Sequence, residues 1–245
     1  MTLRTPSYVP SRIFEEPSIR YAWDDWDVSP FYLSIDEELM AEWANLAEPA
    51  ICGLTIAISE WVFFRQRRFE SDPTPMQCLE AAWCANIDRR YSEGLEVSRE
   101  KWLGPVRGPL RVAMNLLHST LYEAYGGADK PVEGPSLMSN LTEHVCGITD
   151  EFREWRTQCI ARLQEYYVAP PPLTDLFDEQ LARIVVPREV FDLQRSFHPD
   201  EAPLLVDQFL RGIDFRSNPF LLTPEAMLQE GFEGIPYRLN STRSK

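Results

Sequence analysis

A helical spacing of apolar residues extends over the first 168 residues, and it constrains the fold of this chain more than any other feature. Apolar side chains recur at steps of three and four residues over four ranges: residues 39–64, 79–87, 110–124 and 137–166. Helices with such apolar faces pack as antiparallel neighbours across short loops. We therefore predict an all-α protein, an antiparallel bundle of about four to six main helices with a C-terminal segment of short helices packed on it.

Capping and helix-breaking residues predict where these helices begin and end. Capping boxes at residues 34–37 and 74–77 predict two helix starts. Pro49 predicts either a kink or the meeting of two helices, with the second helix starting at Pro49. The segment 94–109 contains glycines and prolines and predicts a connecting loop, whereas Gly126-Gly127 predicts a helix end.

The clearest periodic run predicts one helix of about thirty residues over 137–166. Pro170-Pro171-Pro172 then stops helix propagation and stiffens the chain. Beyond the prolines the sequence predicts three short helices: 176–184, 204–210 and 223–230. We divide the chain into three parts: an acidic and aromatic N-terminal arm (1–33), a helical bundle (34–169) and a C-terminal subdomain (170–245).

The charge balance excludes several classes of partner. The chain has a formal net charge of -14 and a sequence pI near 4.7. Nucleic acids and anionic membranes bind clustered lysine and arginine, so we predict neither as a partner. The first twenty residues contain no apolar run of the kind a signal peptide needs. The uncharged stretch between Glu48 and Glu60 is about half the length of a spanning helix. We expect a cytoplasmic protein.

The cysteines predict neither disulfides nor a metal site. They are five in number, and none forms a Cys-x-x-Cys motif: Cys52, Cys78, Cys84, Cys146 and Cys159. All five lie in apolar stretches predicted to be helical, so we interpret them as buried free thiols in a reducing compartment. No cluster of cysteine and histidine has the spacing of structural zinc. We predict no metal and no cofactor.

The sequence offers few residues for catalysis. It contains three histidines and no glycine-rich phosphate loop, nucleophile elbow or dinucleotide fingerprint. His118 and His144 each lie at the margin of an apolar helix face, where half-buried structural imidazoles are common. The carboxylates of Asp24-Asp25-Trp26-Asp27 could hold Mg²⁺. Their order resembles the aspartate-rich motif of prenyl-transferring enzymes, but it lacks the Asp-Asp-x-x-Asp spacing and a second acidic motif.

The negative charge is concentrated near the N-terminus. Residues 15–48, here called the acidic stretch, hold ten carboxylates and one basic residue, Arg20. Tyrosine, tryptophan and phenylalanine side chains are interleaved with these carboxylates. One hypothesis is that the rings fasten the arm to the bundle while the acids favour helix starts and solubility. The other is that both form a recognition surface for a basic protein. The predicted partner-binding residues are Trp23, Asp24, Asp25, Trp26, Asp27, Tyr32, Asp36, Glu37, Glu38 and Glu42.

The leading functional hypothesis is a cytoplasmic acidic protein that neutralises a basic protein partner. An immunity protein of bacterial type, which occludes a cognate toxin, fits this description, because toxins that attack nucleic acids tend to be basic. An alternative is an all-helical enzyme or small-ligand binder with a pocket between the Trp61 and Trp83 faces and His118 or His144 as its polar group. A third hypothesis is a structural or regulatory adaptor that docks through its C-terminal segment.

Overall fold

The computed structural model describes residues 3–123, 131–147, 149–170 and 184–239, and in these ranges the protein contains helices but no β-strand. The predicted all-α bundle with short helices is confirmed. The α-helices are α1 (Ser11–Glu15), α2 (Ser29–Tyr32), α3 (Glu37–Ala41), α4 (Glu48–Gln66), α5 (Thr74–Ile87), α6 (Gly104–His118), α7 (Glu133–Cys146), α8 (Asp150–Tyr166), α9 (Ala202–Arg211) and α10 (Pro224–Gln229). A π-helical turn, Ser119–Glu123, extends α6. Short 3₁₀ turns occupy Arg89–Tyr91, Arg99–Lys101, Arg188–Phe191, Pro199–Glu201 and Phe215–Ser217.

Helix α4 is the centre of the bundle. Every residue from Ala50 to Gln66 is buried, because α1, α5, α6, α7 and α8 all pack against this helix. The sequence predicted an apolar face, and the structure instead surrounds the helix on all sides, as its continuous apolar sequence favours. Thr55 and Ser59 are buried without cost because their hydroxyls donate to the carbonyls of Ile51 and Ile56 within the helix.

The break before α4 agrees with the prediction that two helices meet near Pro49. Pro49 occupies the first turn of α4, where a missing N–H costs nothing. An antiparallel bridge between Leu46 and Val168 holds the preceding turn against the end of α8. The amide of Ala47 donates to the Tyr167 carbonyl at 2.8 Å. The start of α4 is therefore fixed by a contact distant in sequence.

Two predicted helix starts are displaced. Helix α3 begins at Glu37, and its N-cap is Asp36, whose carboxylate accepts from the Leu39 amide at 2.9 Å, so the capping box at residues 34–37 is wrong. Helix α5 begins at Thr74 itself, with no side-chain cap. Asp72 instead accepts from the Thr74 amide at 2.9 Å. At both helix starts an aspartate carboxylate accepts a backbone N–H bond, whereas the sequence predicted that a serine or threonine hydroxyl would do so.

The helix predicted over 137–166 is wrong, because α7 and α8 are separate. Gly147 adopts φ of 85°, a left-handed conformation that ends α7. Thr149 then caps α8 by accepting from the Phe152 amide at 3.2 Å. The loop predicted over 94–109 is also partly wrong, because α6 already begins at Gly104 and includes Pro105, Gly108 and Pro109.

The C-terminal residues cover the bundle. The Trp155 indole donates to the Phe191 carbonyl at 3.0 Å, and Phe191 and Met227 are fully buried. Helices α9 and α10 confirm two of the three short helices predicted there. The third was predicted over 176–184, and all of it except Ile184 lies outside the described residues; Ile184 itself is not helical. The helix end predicted at Gly126-Gly127 also lies outside the described residues. The three-part division of the chain remains a prediction.

The described ranges also bear on the predicted environment. Within them, no helix combines the length and apolar content needed to cross a lipid bilayer. All five cysteines are free, and all but the half-buried Cys146 are buried. Burial raises the pKa of the Cys146 thiol to about 12 and that of Cys52 to about 11. Neither thiol is therefore ionised at neutral pH.

Candidate functional site

The acidic stretch is attached first to the C-terminal end of α4. The guanidinium of Arg65 donates to the Glu16 carbonyl at 3.3 Å, and that of Arg68 donates to the Glu15 carbonyl at 2.6 Å. Gln66 donates from its amide to the Tyr21 hydroxyl at 2.5 Å. These cations are bound to backbone carbonyls, so they position the segment without pairing with its carboxylates.

The glycine and prolines of α6 form the next attachment point. A Cβ atom on Gly108 would lie 2.0 Å from Nε1 of Trp23, so only glycine lets this indole pack on the helix. Pro109 has no N–H to donate to the carbonyl four residues earlier, at Pro105. The Tyr21 hydroxyl donates to that carbonyl instead. The residues that predicted a loop are thus helical residues that accommodate two aromatic side chains of the acidic stretch.

The Asp25 carboxylate is bound within the protein and is not free to contact a partner. One carboxylate oxygen accepts from the Trp23 indole at 2.8 Å, and the other accepts from the Gly104 amide at 2.7 Å. The Asp25 carbonyl accepts from Arg99 at 2.8 Å. The Arg99 guanidinium also lies over the Trp26 ring, 4.6 Å from its centroid. Asp25 therefore joins the acidic stretch to the start of α6.

The stretch then follows α7. His144 lies 2.7 Å from the Ala22 carbonyl through Nε2, and its ring stacks on Phe31 at 4.4 Å. One turn earlier on the same face of α7, Asn140 donates to the Tyr32 carbonyl at 3.2 Å. The Trp43 indole donates to the carbonyl of Val132, at the start of α7, at 2.8 Å. From Val132 to His144 the helix rises about 18 Å, so residues 22–43 cover one side of α7.

The predicted partner-binding residues lie along the segment that packs on α6 and α7, and they divide into two groups. Trp23, Asp25 and Tyr32 are half-buried and face the bundle. The exposed members are Asp24, Trp26, Asp27, Asp36, Glu37, Glu38 and Glu42. Trp26 is 81% exposed, and two apolar side chains of the same stretch that the sequence did not single out, Leu33 and Ile35, are 49% and 47% exposed.

Most of the exposed carboxylates have no cationic partner. In the acidic stretch, Glu16 pairs with Arg20 at 3.1 Å and Glu48 pairs with Arg89 at 3.1 Å. The other eight carboxylates form no ion pair with a described residue, and six of these belong to the exposed predicted set: Asp24, Asp27, Asp36, Glu37, Glu38 and Glu42. These six carboxylates are therefore not neutralised by direct ion pairs, although Arg99 lies over Trp26 and Arg156 interacts electrostatically with Glu42 and Asp36.

No protein-family model, curated protein or solved structure matches this chain.

The histidines of the alternative hypothesis have structural partners. His118 Nδ1 accepts from the Leu95 amide at 3.1 Å, and its ring stacks on Tyr122 at 5.2 Å. His144 is enclosed by Phe31, Tyr21 and Trp23. Both imidazoles thereby fix neighbouring segments. Among the described residues no group of three or more histidine, cysteine, aspartate and glutamate side chains is placed to hold a metal ion.

Sequence reasoning missed the residues that position this site. Gly108, Pro109 and Asn140 carry no charge or aromatic ring, and they contact the acidic stretch only through the fold. One signal was available, because a glycine and a proline interrupting an otherwise regular helical period indicate a close approach of another chain segment. The identity of that segment was not encoded locally.

Proposed function

We propose that the protein binds a basic protein partner through a docking surface on the exposed side of the acidic stretch. The docking surface comprises Asp24, Trp26, Asp27, Leu33, Ile35, Glu37, Glu38 and Glu42. The observation that carries this proposal is the exposure of Trp26, Leu33 and Ile35 in a stretch whose exposed carboxylates form no ion pair with a described residue. Exposed apolar side chains grouped within a polar rim are typical of protein interfaces.

The two components of the surface have different tasks. A tryptophan that enters a pocket on a partner contributes a large share of binding energy, since aromatic anchors dominate interface hot spots. Unpaired carboxylates accelerate docking of an oppositely charged protein and select against acidic ones. Trp26 is suited to the first task because Arg99 supports one face of its ring and leaves most of the side chain exposed.

The surface also has a rigid support. Hydrogen bonds from α4, α6 and α7 hold residues 15–43, so binding would not have to order a flexible segment. Such preorganisation reduces the entropic cost of association. The inward rings and the outward charges thus combine the two hypotheses that the sequence left open.

Within this proposal, the partner class that fits best is a toxin acting on nucleic acids. The nucleic-acid site of such a toxin is basic, and a preformed acidic surface would occupy it as its substrate's phosphates do. The protein would then act as an immunity protein of bacterial type, in the cytoplasm, by occlusion. Its own chemistry would be binding and not turnover.

The test is affinity capture from the native cell with three forms of the protein. We expect a stoichiometric partner of basic pI on the wild type, retained by Leu228→Ala and lost from Trp26→Ala. Leu228 is a matched control because it is 54% exposed and lies on α10, outside the docking surface. A partner held equally by Trp26→Ala, or one that is acidic, would contradict the proposal.

A further inference from the structure

A second candidate site is a cavity on α5, distant in sequence from the acidic stretch. It has a volume of about 440 Å³ and lies between α5, α9 and the segment that carries Arg188. Cavities that bind small molecules start at about 300 Å³. It is larger than the cavities that border His144 and His118, which have volumes of about 350 and 280 Å³. Its walls are mainly apolar and include Trp83, Ile87, Val186, Leu205, Phe209 and Ile213.

One carboxylate in this cavity is buried with an incomplete set of partners. Glu80, on α5 one turn before Trp83, is only 6% exposed. Its Oε2 accepts from the Asn218 side-chain amide at 3.1 Å, and no hydrogen bond to Oε1 is formed by a described residue. Burial raises the pKa of Glu80. A buried carboxylate with one neutral donor is destabilised in its charged form, so it favours a ligand that brings a further donor or a positive charge.

Asn218 cannot supply that further donor by turning. Its amide nitrogen already donates to the Gln77 carbonyl at 2.9 Å as well as to Glu80. Its amide oxygen accepts from the Phe220 amide at 3.1 Å. Asn218 is 2% exposed, so these bonds fix both the amide and the carboxylate it holds. The position of Glu80 is therefore set before any ligand enters.

One of the two arginines that border the cavity, Arg188, is paired with a buried carboxylate behind the cavity wall. Arg188 donates to both carboxylate oxygens of Glu60, at 2.8 and 3.0 Å, and Glu60 is fully buried. The Trp83 indole donates to Glu60 at 2.8 Å, so this wall presents no free indole donor. Glu80 and Glu189 match Arg4 and Arg188 in number around the cavity. The preference for a positively charged occupant therefore rests on the buried Glu80 carboxylate and its incomplete hydrogen bonding.

We propose that this cavity binds a small organic cation, a primary ammonium group on an apolar body, with Glu80 as the acceptor of the ammonium N–H. The apolar body would lie against the side chains of Leu205, Phe209 and Ile213, where burial of its surface supplies most of the affinity. The ammonium group would complete the hydrogen bonding of Oε1. This site is independent of the docking surface proposed above.

Calorimetric titration with 2-phenylethylamine, and with 2-phenylethanol as its neutral counterpart, tests the proposal. We expect saturable binding of the amine and at least tenfold weaker binding of the alcohol. Glu80→Gln keeps an oxygen that can accept from Asn218 but removes the negative charge. This variant should bind the amine at least tenfold more weakly than the wild type. Glu189→Gln is the matched control, because Glu189 borders the same cavity but is half-exposed, and it should change the affinity by less than threefold.

The pH dependence supplies a second readout. Because burial raises the pKa of Glu80, the wild type should bind the amine more tightly as pH rises through that pKa, while Glu80→Gln should lose this dependence. Should Glu80→Gln fail to fold, Ile213→Trp tests the site by filling it, since Ile213 is half-buried at the cavity wall. Equal binding of amine and alcohol, unchanged affinity in both variants, or no saturable binding below about 10 mM amine would overturn the proposal.

Discussion

Two segments without long helices cover the same bundle, and they differ in how their charges are used. The acidic stretch, residues 15–48, has ten carboxylates and one arginine. The C-terminal wrap, here residues 184–239, has nine carboxylates and five arginines. Both bury aromatic side chains on the core, as Trp43 and Phe191 do. Covering the core therefore does not require the charge imbalance of the acidic stretch.

The arginines that hold the two segments bind different groups. In the C-terminal wrap, Arg211 pairs with Asp207 at 2.6 Å, Arg195 pairs with Glu201 at 3.1 Å, and Arg188 pairs with Glu60 of α4. Arg65 and Arg68, which hold the start of the acidic stretch, bind its backbone carbonyls instead. Exposed apolar side chains of the wrap, such as Leu204 and Leu228, lie on different helices. This contrast is the reason why we proposed the docking surface on the acidic stretch and not on the C-terminal wrap.

The largest loss of stability that we expect comes from Gly108→Ala, because this substitution disrupts the packing of the acidic stretch on α6. The new Cβ would overlap the Trp23 indole, and also Asp25, whose Oδ1 would lie 2.7 Å away. Overpacking of this kind costs about 1–3 kcal/mol of unfolding free energy. Chemical denaturation measures this loss, and limited proteolysis should show faster cleavage within residues 15–48 than within the C-terminal wrap.

A double-mutant cycle with Trp23→Ala gives the control. Without the indole the larger clash disappears, and Asp25 Oδ1 loses the hydrogen bond from Trp23 that holds it beside Gly108. Alanine is also a better helix former than glycine by about 1 kcal/mol. Gly108→Ala should therefore stabilise the Trp23→Ala protein while it destabilises the wild type. An equal loss in both backgrounds would mean that Gly108 does not serve the attachment of Trp23.

Gly108 also illustrates how far the sequence could predict the fold. The helical period located α4, α5 and α9, since burial of those helices reinforces their local preference. The start of α6 was missed because glycine and proline disfavour a helix interior when neighbours are unknown. Here the neighbours are Trp23 and Tyr21, more than 80 residues earlier in the sequence.

The boundary between α7 and α8 was missed for the opposite reason. The apolar spacing continues across Gly147, so the period alone predicted one helix. Two signals marked the break: a glycine able to adopt positive φ and a threonine two residues later able to cap the next helix. Periodicity describes which side of each helix is buried, and it does not report whether the chain reverses between two such helices.

For the candidate site, composition located the segment but not the orientation of its side chains. Trp23 and Trp26 are three residues apart in the same acidic context, yet Trp23 packs on α6 while Trp26 is 81% exposed. The segment lacks a long regular element, so no period distinguishes inward from outward positions. Asp25 likewise could not be separated from Asp24 and Asp27 until its contact with the Gly104 amide was known.

We expect an intermediate loss of stability when a tyrosine hydroxyl that bonds a backbone carbonyl is removed from either segment. Tyr21 donates to the Pro105 carbonyl and accepts from Gln66, whereas Tyr237 donates to the Leu222 carbonyl at 2.6 Å. Burial raises the pKa of Tyr21 to about 12, so the hydroxyl is protonated and can donate at neutral pH. Tyr21→Phe should cost about 1–2 kcal/mol in thermal or chemical unfolding.

Tyr237→Phe is the matched control and should cost less. It removes one hydrogen bond, whereas Tyr21→Phe removes two and leaves the Pro105 carbonyl without the donor that Pro109 cannot provide. A loss for Tyr237→Phe that equals or exceeds the loss for Tyr21→Phe would show that the hydroxyl is not compensating for the proline.

The smallest effect is electrostatic and compares the outer surfaces directly. We compare two double variants that change the net charge equally. One carries Glu37→Lys and Glu38→Lys in the acidic stretch, and the other carries Glu225→Lys and Glu230→Lys in the C-terminal wrap; all four side chains are exposed. Fluorescence anisotropy with a labelled octalysine peptide at about 20 mM salt should show at least threefold weaker binding for the first pair and a smaller change for the second. Screening shortens the range of these charges to about 10 Å at 0.1 M salt, so the difference should shrink as salt is added. Equal weakening by both pairs would mean that the field is spread over the whole protein, and the charge argument for a docking surface on residues 15–48 would then fail.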